Sequence, residues 1–218
     1  SDAWDRCDSD PSVRVVILAA AGERAFCVGA DLKRLIPLVN GMREPDDEWD
    51  ERVVREPDLI NRALLRRSDM SVPIVAAVHG YVLGGGMELM LGTDLRIAEE
   101  GSRFGLPEVT RGLVPAGGGL ARLGNQIAWA RAAEIILVGG HFSAADALGI
   151  DLVNRVVAAS ELSSTVGSFA ERIAQNGPLA VRTAKRAMQG TLGLPLVDAL
   201  AVESMISKVA SGSNDAAE

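Results

Sequence analysis

The stretch His79–Met90, HGYVLGGGMELM, limits what this chain can fold into more than any other. Its glycines, Gly84–Gly86, follow the apolar run Pro73–Val78 and lead into the apolar, helix-favouring segment Met87–Leu91. A strand that enters a glycine turn and becomes a helix leaves backbone N–H groups unpaired at the helix start. Glycine also lets the backbone come close to a ligand, so such a turn can hold an oxyanion or a phosphate. Glu88 falls one turn into the apolar helix, an odd place for a carboxylate, and that oddity points to function.

At 218 residues and 48% hydrophobic, the chain is long enough for one well-formed core. A formal net charge of −7 without a long basic run argues against nucleic-acid binding. Cys7 and Cys27 have no metal-ligand spacing and make no disulfide framework, so a reducing cytoplasm is the expected compartment. With only His79 and His141 available, a histidine-based metal site is not expected. Pro73–Leu91 approaches membrane length, but Pro73, His79, Glu88 and the glycines interrupt it, so no membrane span is expected. The polar opening SDAWDRCDSD does not read as a secretory leader. A P-loop is excluded, because no Lys-Ser/Thr follows the glycines.

In chain order, the opening reads as the end of a helix broken at Asp8–Pro11, and Val13–Ala20 as a buried strand rich in β-branched residues. Gly29-Ala30-Asp31 is a second tight turn before a helical segment. Residues 37–70 change register: Asn40-Gly41 marks a turn, the charged run Arg43–Asp58 reads as a mobile loop with short helix, and Leu59–Arg67 has helical spacing with a basic end. A short strand is expected at Asp94–Ala98 and another glycine-rich turn at Gly112–Gly119. From Ile127 the chain is mostly helical: Trp129–Val138 ended by Gly139-Gly140, a helix from Ala144 capped by Ser143, a short strand at Leu152–Val157, then helices over Glu161–Gln175, from Pro178, and over Pro195–Ala210. Strands early and helices late describe one α/β domain.

AFCVGADL, HGYVLGGGMEL, FGLPEV and GLVPAGGG, in this order and spacing, resemble the enoyl-CoA hydratase/isomerase (crotonase) family. The likeness extends over SAADALGIDLVNRVV and NGPLAVRTAKRA. It implies an α/β fold, the ClpP-like crotonase spiral of ββα units, with residues 1–158 as an acyl-CoA-binding core. Residues 159–218 would be a helical C-terminal region for trimerisation and part of the CoA site. Both ends look short against the family, whose first strands and final helix are not found here. The expected partners are a small-molecule acyl-CoA thioester and copies of the chain itself, as a homotrimer or dimer of trimers. No metal or redox cofactor is expected, since CoA belongs to the substrate.

The same resemblance assigns site residues. Ala30 and Gly85 match the backbone N–H pair of the family's oxyanion hole. Glu88 and Glu108 match the two catalytic carboxylates, Glu88 acting mainly as base toward water and Glu108 as acid toward the α-carbon. Two facing carboxylates in a dry pocket are expected to titrate as a coupled pair. Ala116 stands at a water-positioning turn where the family commonly has glycine, and its methyl group restricts φ. Val28, through its carbonyl, matches the position that reads the CoA adenine, and Arg24 and Lys33 match basic positions near the CoA phosphates. Arg182, Lys185 and Arg186 form a helical basic patch that reads as a solvated face or a subunit contact, with an addition to a phosphate site as the alternative. Asp31 reads as a cap, His79 as a buried hydrogen-bonding residue and Cys27 as a packed thiol. The implied activity is that of a carbon–oxygen lyase, an enoyl-CoA hydratase. A Δ3,Δ2-enoyl-CoA isomerase and a non-catalytic acyl-CoA-binding paralogue are the alternatives.

Overall fold

The computed structural model describes residues 1–66 and 70–211. The chain opens with helix α1 (Asp2–Ser9), strands β1 (Val16–Leu18) and β2 (Ala25–Cys27), and helices α2 (Leu35–Val39), α3 (Glu48–Arg55) and α4 (Leu59–Ala63). Strands β3 (Ile74–Val78) and β4 (Tyr81–Leu83) lead into α5 (Gly85–Leu91); β5 (Leu95–Glu99) and β6 (Arg103–Gly105) lead into a 3-10 turn, Pro107–Arg111. Then come α6 (Gly119–Gln126), α7 (Trp129–Val138), β7 (Phe142–Ser143), α8 (Ala144–Gly149) and β8 (Arg155–Val157). Helices α9 (Leu162–Gln175), α10 (Pro178–Thr191) and α11 (Leu196–Ser211) close the described chain.

Two four-stranded sheets are formed, ordered β1-β3-β5-β8 and β2-β4-β6-β7. From β1 to β6, successive strands go alternately to the two sheets, which produces the spiral of ββα units. Among the described residues the strands of each sheet pair in parallel except β6–β7, which is antiparallel, and Ala25 and Gly80 form an isolated antiparallel bridge. β3 lies between β1 and β5 with all of its residues buried, as a continuous apolar run in a parallel sheet should. Its alternate side chains Val75 and Ala77 pack with Ile97 of β5 and Val166 of α9. On the other side, Ala76 and Val78 join the main core with Met87, Met90, Phe104 and Leu123.

Several expectations need correction. Val13–Ala20 is not a buried strand: only Val16–Leu18 pairs, β1 is a sheet edge, and Ile17 is 48% exposed. The charged run before residue 59 is more ordered than a loop, because α3 has a built start: the Asp47 side chain accepts the N–H groups of Trp49 and Asp50. Asp50 is itself buried between Arg34 (3.1 Å) and Arg43 (2.7 Å). The basic end of Leu59–Arg67 at Arg67 lies outside the described residues. Among the described residues no helix is long and apolar enough to cross a membrane.

The basic face of α10 is also not the solvated one expected. Arg186 is exposed, but Lys185 is buried and donates to Val72 O (2.8 Å) and Asp94 Oδ2 (2.7 Å). Arg182 donates to Ser71 Oγ (2.9 Å) and Val13 O (3.1 Å). The two cations bolt α10 across the start of β3. Removing one partner of a buried pair leaves the other unpaired, so Lys185→Met is expected to lower unfolding free energy by about 3 kcal/mol in a urea titration. A loss below about 0.5 kcal/mol would place Lys185 among ordinary exposed ion pairs.

Candidate active site

The two glycine turns meet. Gly29 (φ 88°) and Gly84 (φ 54°) both have positive φ, where a side chain is strained. A Cβ on Gly29 would stand 2.9 Å from Gly85 N, and one on Gly85 would stand 3.3 Å from Gly29 Cα and 3.9 Å from Ala30 N. The Ala30 and Gly85 main chains are therefore neighbours. Gly85 begins α5, so its N–H has no acceptor within the helix. Gly86 seals the contact, since a Cβ there would fall 2.0 Å from Cys27 O of β2.

Glu88, on α5, is only 4% exposed. Its Oε1 accepts the Gly119 N–H at 2.8 Å, and the Gly117 N–H also favours its charged form. A Cβ on Gly117 would come within 2.6 Å of Glu88 Oε2, so glycine is required there to admit the carboxylate. The C-terminal end of α5 is held by buried Arg96, which donates to Met90 O (3.1 Å) and Leu91 O (3.2 Å), and by Gln126, which donates to Leu91 O (3.0 Å).

Glu108 sits on the 3-10 turn after Pro107, which Gly112 ends in a left-handed conformation. Its Oε1 lies 3.1 Å from where a Cβ on Gly84 would be, so the second carboxylate reaches the first glycine turn. Its Oε2 is buried without a hydrogen-bond partner among the described residues. The turn rests on Gly139, where a Cβ would meet Val109 Cγ2 and Thr110 Cγ2 at 2.9 Å.

Burial pushes the Glu88 carboxyl above its ordinary range, opposed by the Gly119 and Gly117 N–H groups and then by Arg122. Burial also pushes Glu108 up; its own N–H opposes this, and the charge of Glu88 raises it further. The charge of Glu88 is thus felt at Glu108. A carboxyl with a raised native pKa holds its proton in the native state where the unfolded chain has lost it. Its effect on stability is absent below the unfolded value, and stability falls as pH rises through the window up to the native value. Glu108→Gln is thus expected to unfold at a higher temperature than wild type at pH 8, with the gain gone near pH 4. A variant less stable than wild type at pH 8 would contradict this electrostatic reading.

The family model for enoyl-CoA hydratase/isomerase matches residues 1–217. The chain belongs to the enoyl-CoA hydratase/isomerase family. It is 36% identical to the enoyl-CoA hydratase EchA19 of Mycobacterium tuberculosis over 216 residues, covering 99% of this chain and 78% of that protein. It is 35% identical to the short-chain-enoyl-CoA hydratase of Clostridium acetobutylicum over 198 residues, covering 90% and 72%. The crystal structure of enoyl-CoA hydratase from Bacillus anthracis superimposes with a TM-score of 0.87 at 36% identity, covering 100% of this chain and 80% of that one. Members of this family act on acyl-CoA thioesters.

Against the family pattern, the remaining residues fall as follows. Val28 is 57% exposed, and its carbonyl oxygen lies 3.8 Å from the Cβ position of Gly84, at the rim of the turn. The Arg24 and Lys33 side chains are exposed. Asp31 does cap, accepting the N–H groups of Lys33 (3.0 Å) and Arg34 (3.3 Å). Cys27 is packed, its Sγ accepting the Gly29 N–H at 3.5 Å. His79 is half-buried, and its Nε2 has no partner among the described residues, contrary to the hydrogen-bonded expectation. Ala116 is exposed and does not have a positive φ, so its methyl group is accommodated without left-handed strain. The donor that holds Glu88 is Gly119, with Gly117 close against the carboxylate. From the sequence their run reads only as a turn, although glycines at and just before a helix start were the available signal.

Proposed function

We propose that this chain is an enoyl-CoA hydratase, adding water across the double bond of a trans-2-enoyl-CoA to give a 3-hydroxyacyl-CoA. The observation that carries the reading is a pair of glutamates at the glycine turns: buried Glu88, held by the Gly119 N–H at 2.8 Å, and Glu108, whose Oε1 lies 3.1 Å from the Cβ position of Gly84. Glu88, as carboxylate, takes a proton from water while the water oxygen bonds C3 of the enoyl group. The electrons of the double bond shift onto the thioester oxygen, and the Ala30 and Gly85 N–H groups donate to that oxyanion. Glu108, whose carboxyl is pushed up by burial and by the Glu88 charge, delivers its proton to C2. Proton exchange between the two glutamates then restores the starting state. In this scheme Ala116 helps seat the water, Val28 offers its carbonyl to the adenine, and Arg24 and Lys33 face the CoA phosphates. The reaction uses no cofactor; CoA is part of the substrate.

An isomerase would need one proton shuttle, and it leaves Glu88, fixed by the Gly119 N–H, without a task. A binding paralogue leaves both carboxylates unused. Residues 1–158 serve in this reading as the acyl-CoA core and 159–218 as the helical oligomerisation region of a homotrimer or dimer of trimers. The exposure of Leu196 (74%), Val197 (74%) and Met205 (66%) on α11 supports a subunit contact there. The test is loss of conjugated thioester absorbance on mixing the protein with crotonyl-CoA. Hydration supports the assignment. Conversion of a 3-enoyl-CoA without hydration of crotonyl-CoA would replace it with the isomerase.

A further inference from the structure

A cation stands behind Glu88 that the scheme above does not use. Arg122 of α6 is half-buried, and its Nη1 donates to Leu64 O (3.1 Å) and Glu88 O (3.3 Å) while Nη2 donates to Leu65 O. All these acceptors are neutral carbonyls. The acid that acts on its charge is Glu88, opposed by Arg66. Arg96 of β5 also senses it, and Asp94 and Lys185 line the same cavity but are bonded to each other at 2.7 Å. Glu88 in turn faces Arg122, Arg66 and Glu108, together with the Gly117 and Gly119 N–H groups.

The carbonyls that Arg122 binds belong to an unusual turn. Leu65 is 2% exposed and has φ 56°, a conformation that bulky residues avoid. Strain of this kind persists only where its surroundings enforce it, and it gathers at functional sites. Leu64 shows what the turn achieves. Its Cδ1 and Glu88 Oε2 each lie 2.6 Å from the Cβ position of Gly117, so the leucine side chain lies beside the carboxylate. One guanidinium thus ties the leucine wall, the Glu88 main chain and the glycine run together.

We propose that Arg122 is a positioning residue for Glu88: it seats Leu64 beside the carboxylate, holds the helix backbone from behind, and places a cation next to the base. This rests on Glu88 acting as the base. The measurement is an infrared pH titration of the protonated carboxyl in a Glu108→Gln background, with the Glu88→Gln/Glu108→Gln protein subtracted. Arg122→Met and Arg122→Gln are expected to raise the titration midpoint by about one pH unit, and Arg122→Lys to return it to within a few tenths. With Glu108 intact, the acid limb of kcat/KM should move by the same amount. If Arg122→Met does not fold, Arg122→Gln decides, since its amide still donates to a carbonyl without carrying charge. An unmoved midpoint in Arg122→Gln, with activity lost and Arg122→Lys failing to rescue, would overturn the proposal in favour of a purely structural residue. The titration needs no substrate, so a shifted midpoint in a protein that hydrates nothing would overturn the base assignment and leave the Arg122–Glu88 coupling intact.

Discussion

Glu108→Gln is expected to lower kcat for crotonyl-CoA hydration by about 10²–10⁴-fold, the range that positioned acid–base groups supply, with KM changed little. The amide keeps the shape of the carboxyl and can still lie against Gly84. What it loses is the transferable proton, so the step to C2 loses its donor while substrate contacts remain. Glu88→Gln should fall by a comparable factor for the complementary reason: an amide cannot take a proton from water. Because the carboxyls work on one transition state, the double variant should lose far less than the product of the two single losses. Independent, multiplying losses would mean that the two groups act in separate steps.

Gly84→Ala is the second large effect. The backbone there is at φ 54° and ψ −129°, which an L side chain resists by about 1–3 kcal/mol, and the new methyl would lie 3.1 Å from Glu108 Oε1. Relief requires the turn to move, and moving it displaces the Gly85 N–H from any oxyanion. Loss of one such donor costs about 10²–10³ in kcat, so the variant should remain folded yet lose activity on that scale. Gly86→Ala is different in kind. Its methyl would meet Cys27 O at 2.0 Å, a main-chain clash between α5 and β2 that should remove about 3 kcal/mol or more of stability. Far-ultraviolet circular dichroism and urea unfolding separate the cases. A folded, fully active Gly84→Ala would show that the turn has no part in the chemistry.

How far the sequence could be read depended on whether the deciding partner was local. Glu88 announced itself, because a carboxylate inside Met87–Leu91 breaks an apolar pattern that needs no tertiary knowledge. The Ser143 cap and the Gly139 stop were legible for the same reason, and Ser143 indeed forms a capping box with Asp146. Glu108 was not legible from its neighbours; only the resemblance singled it out, since its burial is created by the glycine turn 24 residues earlier. Lys185 was misread because its partners, Val72 and Asp94, are 113 and 91 residues away. β1 was misread because sheet position, not composition, decides which β-branched run is an edge. β4 and β7, of three and two residues, are too short to leave a periodic signal.

The central claim is that water is added, and a solvent label reads it most directly. Crotonyl-CoA turned over in ¹⁸O-labelled water should yield a 3-hydroxyacyl-CoA carrying one solvent oxygen on C3, by mass spectrometry, with Glu88→Gln slowing its appearance in step with kcat. Turnover of an enoyl-CoA that leaves every product free of solvent oxygen would contradict the account and return Glu108 to the role of a lone proton shuttle.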